Sequence, residues 1–324
     1  MTWQTHSLTI GLPQTNYRNL AEARLLMEAG NFFWWSLGHA IGRPVSQLRS
    51  PVGDPLYATI FFLEEIYPPE RTLSTFRLDD QLRFAVGLRA ISTLSVEGRV
   101  IFDQQERLAE GADWEALWRA TPPAHPTILF GSLFGTPAAD NHQLKLSVPG
   151  NASLKSLPHV PLEDNTSQLA RLAQRSGQLD LIGVEWMTLD PAPREISYAI
   201  DPDRDTNAAG LIYFANFVSL LESGERQAIA SPVAGGSDTR SYDPSTRQLA
   251  HRRIAYYGNA GLSDQLLISV QRCVLPGAPQ QLGVRSRISR QGDGQLICLS
   301  EAMFLMGPVA PTTSPAAHAQ ISAR

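Results

Sequence analysis

The sequence predicts an α+β protein in which antiparallel sheets wrap around apolar central helices. The first observation is the segment 203–222, where a polar stretch leads into a helix that is apolar on almost every side. A helix without a solvent face has to be enclosed by other structure. The second observation is the set of extended segments downstream, which begin at 252–258 and 265–270. Apolar residues alternate there as they do in half-buried strands, so we expect a sheet around this helix.

An internal repeat is the third observation. Residues 78–86 align with 262–270 without a gap, and each copy contains Asp-Gln-Leu followed by alternating apolar residues. An extended segment precedes each copy, at 56–63 and at 252–258. Chance alignment is the alternative explanation. The repeat predicts two copies of one unit, that is, a double hotdog with two antiparallel sheets, each wrapped around a central apolar helix.

The central helix of the first unit is expected upstream of its strands. Asn19 with Glu22 three residues later has the pattern of a helix cap. We predict a helix over 20–27, a break at Gly30 and a second, bulky helix over 31–41. Four consecutive aromatic residues, 32–35, cannot all face one way, which suits a helix buried in the concavity of a sheet.

The remaining segments divide the chain. We predict a short helix at 114–118 and a strand at 127–130, then an amphipathic piece at 169–175, strands at 179–188 and 195–200, and a Gly/Ser/Asp-rich loop at 231–246. The predicted organisation is a first hotdog domain (1–148), a Pro- and Ser-rich linker (149–168), a second hotdog domain (169–307) and a disordered tail (308–324).

Composition excludes several classes of protein. The net charge of −4 with 18% charged residues argues against a nucleic-acid-binding protein. The chain shows neither a signal peptide nor an apolar run of membrane-spanning length, which predicts a cytoplasmic protein without membrane contact. Cys273 and Cys298 lie in apolar stretches without a Cys/His cluster, so we expect buried free thiols and no metal. The nucleophile elbow of hydrolases, the zinc-protease motif and the nucleotide-binding glycine loops are all missing from the sequence.

Five segments carry a family resemblance: 10–14, 19–35, 55–58, 207–216 and 253–260. Their order and spacing resemble those of the LnmK family, which comprises double-hotdog enzymes of polyketide biosynthesis. The similarity covers nearly the whole chain apart from the tail. This sequence has Phe33-Trp34 where relatives carry His-Trp, which indicates a sister group with altered substrate or chemistry.

The resemblance implies acyltransferase and decarboxylase chemistry. A malonyl or methylmalonyl group would be taken from coenzyme A, lose carbon dioxide and reach the phosphopantetheine of an acyl carrier protein. Acyl-CoA and the carrier protein are then the expected partners, and coenzyme A and phosphopantetheine act as substrate carriers, with no cofactor. The oligomeric state is left open, with a homodimer as one option.

Tyr57 is the predicted catalytic residue, because it occupies the segment that matches the family's catalytic tyrosine. It would act either as a nucleophile or as a hydrogen-bond donor to the thioester oxygen; a strand tyrosine with its ring in the core is the alternative. Asn207 is the second catalytic candidate, able to bind the thioester or a carboxylate, while the N–H near Gly210 would point at the oxyanion. The structural alternatives are that Asn207 caps the helix and that Gly210 allows close packing.

The other candidates are substrate-binding residues. Tyr213 and Asn216 lie one turn apart on the predicted second helix and could face the joint between the halves. His39 lies on the first apolar helix, where it would act as a base if the reaction were a dehydration. A basic cluster at the start of a strand could meet an acidic carrier protein or the phosphates of coenzyme A: His251, Arg252 and Arg253.

Three functions therefore remain open. The first is acyl transfer with decarboxylation. The second is a dehydratase, isomerase or thioesterase acting on carrier-bound acyl chains. The third is a non-catalytic subunit that binds a carrier protein, which a cavity filled by the aromatic run 32–35 would favour.

Overall fold

The computed structural model describes residues 3–137, 144–160, 165–207, 210–232 and 242–307. Two long helices lie against one large antiparallel sheet, and shorter helices cover its margins. The helices are α1 (Glu22–Ala40), α2 (Trp114–Arg119), α3 (Thr166–Ser176), α4 (Pro202–Asp205) and α5 (Phe214–Ala230). None of the described helices is long and apolar enough to cross a membrane.

The described strands form one twelve-stranded sheet and one small hairpin, β2–β3. The main sheet runs in the order β1-β5-β6-β7-β4-β11-β14-β13-β12-β10, with β8 beside β7 and β9 beside β12. The strands are β1 (Trp3–Thr9), β2 (Thr15–Asn16), β3 (Asn19–Leu20), β4 (Tyr57–Ile66), β5 (Gln81–Ala90), β6 (Ser95–Gln104), β7 (Thr127–Pro137), β8 (Leu144–Leu146), β9 (Met187–Thr188), β10 (Arg194–Ala199), β11 (Arg247–Tyr256), β12 (Gln265–Val274), β13 (Gln281–Arg290) and β14 (Leu296–Met306).

The strand order is symmetric about the pair β4–β11. In each half a strand at the sheet edge precedes a long helix, and four more strands follow that helix in the same spatial order. The segments β1-α1-β4-β5-β6-β7 and β10-α5-β11-β12-β13-β14 therefore correspond. The two helices contact each other, and the buried residues of both belong to one continuous core.

The internal repeat of the sequence falls on corresponding strands. Gln81 begins β5 and Gln265 begins β12. The residue before each, Asp80 or Asp264, accepts a hydrogen bond from the backbone N–H three positions earlier, at 2.9 and 2.7 Å. The shared Asp-Gln-Leu motif thus sets the turn that starts the same strand in both halves.

The predicted break at Gly30 is wrong, because α1 is continuous from Glu22 to Ala40. The glycine serves packing instead: a Cβ at this position would lie 2.9 Å from Cζ of Phe214 and 3.2 Å from the hydroxyl oxygen of Tyr213. Gly30 therefore lets α1 approach the start of α5 closely.

Three other sequence-based boundaries differ from the structure. The central helix of the second half begins at Phe214, after the short helix α4, and not at Asn207. Of the predicted strand 179–188, only β9 is formed. Helix α3 begins at Thr166, inside the segment predicted as linker. The predicted tail, 308–324, and most of the loop 231–246 lie outside the described residues.

A buried ion cluster ties the two halves together. Arg252 of β11 is fully buried and donates two hydrogen bonds to Glu225 of α5, at 2.6 and 3.0 Å. Its Nε lies 2.6 Å from a carboxylate oxygen of Glu22, the first residue of α1. Glu65, the register partner of Arg252 on β4, completes the cluster and accepts a 2.5 Å hydrogen bond from Tyr67. One arginine therefore joins both central helices to the central strands.

Candidate functional site

A cavity of about 1310 Å³ opens between the two halves. The second half of α1 and the loop after it form one side, and the segment leading into α5 forms the other. The beginning of β4 and the end of β11 complete the wall. The cavity thus lies at the joint between the halves, and the start of α5 contributes to its lining.

Hydrogen bonds from the preceding helix α4 hold the start of α5. The backbone N–H of Tyr213, the residue before α5, donates to the carbonyl oxygen of Asp205 at 3.1 Å. The side-chain amide of Asn216 donates to the carbonyl oxygens of Arg204 and Asp205, both at 2.9 Å. The first N–H groups of a helix have no partner within it. Because Tyr213 and Phe214 line the cavity, this end of α5 is turned towards it.

The deep part of the cavity is aromatic. The ring of Trp34 lies 5.8 Å from that of Tyr213, and its Nε1 donates to the carbonyl oxygen of Ala58 at 3.1 Å. Phe217 contacts Tyr256 with ring centroids 5.5 Å apart, and the Tyr256 hydroxyl donates to the carbonyl oxygen of Phe214. These hydrogen bonds satisfy the polar groups of Trp34 and Tyr256, so the ring surfaces that face the cavity are apolar.

The outer part is polar and more exposed. His39, on the last turn of α1, is exposed, and 37% of Tyr57 is accessible. Helix α1 ends with the hydrogen-bond pattern of a Schellman motif: Gly42 N–H donates to His39 at 3.1 Å and Arg43 N–H to Gly38 at 2.9 Å. Gly42 has a φ of +69°, which glycine adopts without strain. This turn places Arg43 on the rim.

Two asparagines organise the loop at the entrance of α5. Asn207 accepts a hydrogen bond from the N–H of Leu211 through its side chain, at 3.3 Å. Asn259, after the end of β11, accepts from the N–H of Ile212 at 3.1 Å and from its own neighbour Ala260 at 2.8 Å. Both asparagines line the cavity. The sequence analysis missed Asn259, although a Gly-Asn pair soon after the end of a strand was the available signal.

The structure brings four of the sequence-predicted residues to one cavity: His39, Tyr57, Asn207 and Tyr213. Gly210 is not part of the lining, but its N–H donates to the backbone carbonyl of Asn207 at 2.9 Å. Asn216 also lies off the lining, because its amide holds the turn between α4 and α5. Its position in an apolar helix therefore has a structural explanation.

The basic cluster predicted at 251–253 does not line this cavity. The expectation that Arg252 meets phosphates or a carrier protein is wrong. Arg252 is fully buried and bound by carboxylates of both central helices. His251 and Arg253 both contact one oxygen of Glu64, at 2.8 and 2.7 Å. Burial opposes ionisation of Glu64, but these hydrogen bonds and the Arg253 charge outweigh it and lower its pKa. Alternation along β11 sends neighbouring residues to opposite faces, which splits the cluster.

The cavity offers hydrogen-bond donors and one histidine for chemistry. Burial raises the pKa of Tyr213, and nearby Glu28 adds to the effect, so its hydroxyl stays protonated and can only donate or accept a hydrogen bond. No aspartate or glutamate occurs among the described residues that line the cavity. Across the described part of the chain, no group of three or more His, Cys, Asp or Glu residues could hold a metal.

The position that corresponds to this cavity in the other half is nearly closed. A space of only about 20 Å³ lies at the start of α1, between Glu22 and Glu222 of α5. Arg18 and Arg247 line this space, and their Nη2 atoms lie 2.9 and 3.5 Å from Oε1 of Glu222. The two halves have therefore diverged in the described residues: one joint is an open apolar cavity and the other an ion-pair cluster.

Comparison with solved structures identifies the fold. An acyl-ACP thioesterase from Bacteroides thetaiotaomicron is similar with a TM-score of 0.56 and 9% sequence identity, over 93% of this chain and 97% of that one. A 12:0-ACP thioesterase from Umbellularia californica is similar with a TM-score of 0.59 and 8% identity, over 94% of each chain. The chain therefore has a hotdog-like α+β fold. No protein-family model and no curated protein matches the sequence.

Proposed function

We propose that this protein is a thioesterase that hydrolyses long acyl thioesters in the cavity between its halves. The proposal includes the interpretation of the chain as two hotdog units, 1–148 and 169–307, joined by 149–168. The observation that carries it is the cavity itself, with its apolar aromatic depth and a helix start on its wall. Its volume of about 1310 Å³ exceeds the roughly 300–1,000 Å³ typical of small-molecule pockets. A long acyl chain would occupy far more of this apolar space than a malonyl group.

The residues that line the cavity support a path for hydrolysis. The acyl chain lies against Phe217 and Tyr256, which brings the thioester carbonyl to the start of α5. His39 accepts a proton from water, and the water oxygen forms a bond to the carbonyl carbon. The N–H groups at the start of α5 and the hydroxyl of Tyr57 or Tyr213 donate to the resulting oxyanion. The carbon–sulfur bond then breaks, and the thiolate takes the proton from His39.

A second candidate, acyl transfer with decarboxylation, is favoured by the position of Tyr57 on the cavity. Its hydroxyl has no hydrogen-bond partner among the described residues, so it is available to an enolate oxygen. In this reaction the carboxylate of a malonyl-type group leaves as carbon dioxide. The enolate takes up a proton, and the acyl group passes to the phosphopantetheine thiol of an acyl carrier protein. The LnmK resemblance, with a role in polyketide biosynthesis, belongs to this candidate.

One set of incubations separates the two candidates. Purified protein is incubated with acyl-CoAs from two to sixteen carbons, and separately with malonyl- and methylmalonyl-CoA plus a phosphopantetheinylated carrier protein. Hydrolysis predicts release of free thiol that increases with chain length. Transfer predicts a mass gain on the carrier equal to the decarboxylated acyl group. If neither thiol nor carrier mass changes with any substrate, both proposals fail.

Variants then test the assigned residues. His39→Gln should abolish most of the hydrolysis while leaving substrate binding intact, because general base catalysis contributes about 10²–10⁴-fold. Tyr57→Phe should lower kcat if its hydroxyl donates to the oxyanion and leave it unchanged if Tyr213 does. Ser219→Ala, on the exposed face of α5, is the control and should change neither kcat nor KM.

A further inference from the structure

The rim of the cavity carries an arginine whose position is set by the backbone. Arg43 follows the end of α1, where its N–H donates to Gly38 and Gly42 adopts the left-handed conformation. A Cβ on Gly38 would lie 3.0 Å from the carbonyl oxygen of Arg43, so this glycine allows the close turn. Sequence and packing together therefore hold Arg43 at the edge of the cavity.

The described residues do not compensate the charge of Arg43. It is the one fully charged side chain among the described residues that line the cavity. No carboxylate of the described residues lies within ion-pair distance of it, whereas Arg252, Arg253 and Arg272 each bind one at 2.6–2.7 Å. A half-buried guanidinium beside an apolar surface favours an anionic partner, because part of its hydration is lost. An anionic group of a ligand in the cavity can supply this partner.

The location of Arg43 identifies which part of a ligand it meets. Its neighbours Gly42, Pro44 and Ser46 are exposed, so this end of the cavity is open to solvent. The opposite end, around Phe217, is buried. A ligand that extends from rim to floor therefore has its anionic group at the rim and its apolar group inside.

We propose that Arg43 binds the phosphate of the pantetheine arm of the substrate, an inference that rests on the proposed thioesterase function. An acyl pantetheine thioester has its acyl chain at one end of the arm and a phosphate at the other. That order matches an apolar floor and a cationic rim. Arginine suits the task because its planar guanidinium can donate two parallel hydrogen bonds to phosphate oxygens. Coenzyme A and a phosphopantetheinylated carrier protein share this phosphate.

Kinetics with four carriers of one acyl group test the proposal. The substrates are the acyl-CoA, the acyl carrier protein, acyl phosphopantetheine and acyl pantetheine without phosphate. Arg43→Gln should raise KM for the three phosphate-bearing substrates by about 10- to 100-fold, the usual effect of losing charged hydrogen bonds, and leave kcat unchanged. KM for acyl pantetheine should not change. An effect confined to the acyl-CoA or to the carrier protein would overturn the assignment, because acyl phosphopantetheine carries the same phosphate.

Arg226→Gln is the matched control, since Arg226 is exposed on α5 and does not line the cavity. Arg43→Lys should recover part of the affinity, because the charge remains without the planar fork. Equal effects of Arg43→Gln on substrates with and without phosphate, or no effect on any, would overturn the assignment.

Measurements of equilibrium binding test the phosphate site at Arg43 independently of the thioesterase function. Calorimetry with phosphopantetheine and with pantetheine should show tighter binding of the phosphate form by the unaltered protein, and the difference should vanish in Arg43→Gln. If no thioester is hydrolysed but this difference is found, the thioesterase function fails and the phosphate site stands. If hydrolysis occurs and the difference is missing, only the phosphate site fails.

Discussion

Gly30 of α1 lies directly against the ring of Phe214, the first residue of α5, so that a Cβ at position 30 would come within 2.9 Å of Cζ. The Phe214 ring cannot move away easily, because it also packs edge-on against Trp34 and Phe130. This contact between the two helices therefore sits beside the cavity, where it helps to determine the position of the α5 start.

Gly30→Ala should consequently destabilise the protein and weaken substrate turnover. Alanine gains about 1 kcal/mol in helix propensity, but overpacking in a dense core typically costs about 1–3 kcal/mol. We expect a net loss of up to about 2 kcal/mol in the free energy of unfolding, measured by denaturant titration, together with a lower kcat. A variant as stable and as active as the original protein would contradict the close packing of Gly30 on Phe214.

Loss of the central arginine should be among the most damaging single changes. Arg252→Met removes the cation that lies 2.6 Å from both Glu22 and Glu225 and leaves Glu225 only a 3.8 Å contact with Arg247. Breaking a buried pair in this way costs about 3–5 kcal/mol. Urea unfolding measures the difference. Arg119→Met removes an exposed pair with Glu115 and should cost less than about 1 kcal/mol. Similar costs for both variants would show that the buried cluster contributes little.

Stability should fall as pH rises through neutrality because of Glu65. Burial raises the pKa of Glu65 to about 7, against the lowering effects of Tyr67 and Arg252. A carboxyl with a raised folded-state pKa binds its proton more tightly in the folded protein. Its stabilising contribution is complete below about pH 4.5 and is lost as pH rises through about 7, a change of about 3 kcal/mol.

Glu65→Gln keeps the shape of the side chain but does not titrate. We therefore expect the unfolding free energy of this variant to vary less between pH 5 and pH 8 than that of the original protein, measured by urea titration at each pH. Glu70→Gln, at an exposed position, is the control and should keep the original pH dependence. Parallel pH profiles for all three proteins would rule out Glu65 as the source.

The closed counterpart of the cavity predicts one ligand per chain. Two similar halves could in principle bind two acyl groups, but Arg18, Arg247 and Glu222 occupy the second position. Titration with a non-hydrolysable acyl-CoA thioether, followed by calorimetry, should give a stoichiometry near one. A stoichiometry near two would mean that the ion cluster opens to admit a ligand.

Phe217 should limit the length of the acyl chain. It lines the deep end of the cavity and contacts Tyr256, so Phe217→Ala extends the apolar space. The preferred substrate should shift to longer chains in a comparison of kcat/KM across the acyl-CoA series. Phe84→Ala, in the core beside Phe32 and Phe102, should have a similar stability cost of about 3–5 kcal/mol without that shift. An unchanged chain-length profile in Phe217→Ala would place the acyl end elsewhere.

Local patterns in the chain were sufficient for much of the architecture. Apolar content around α1 and α5 indicated enclosed helices, and alternation indicated the strands that follow them. The Asp-Gln-Leu repeat predicted that the segments containing β5 and β12 correspond. These features depend on residues within a few positions of each other, so periodicity and turn chemistry report them directly.

Long-range packing decided the rest. Gly30 has the local signature of a helix break, but its role depends on Phe214, 184 positions away in the sequence. Arg252 has the signature of a surface cation, yet two carboxylates from distant helices bury it. The open cavity at one joint and the ion cluster at the other arise where both halves meet. Neither periodicity nor motif spacing contains that information, because it depends on which side chains face each other after the sheet has closed around its helices.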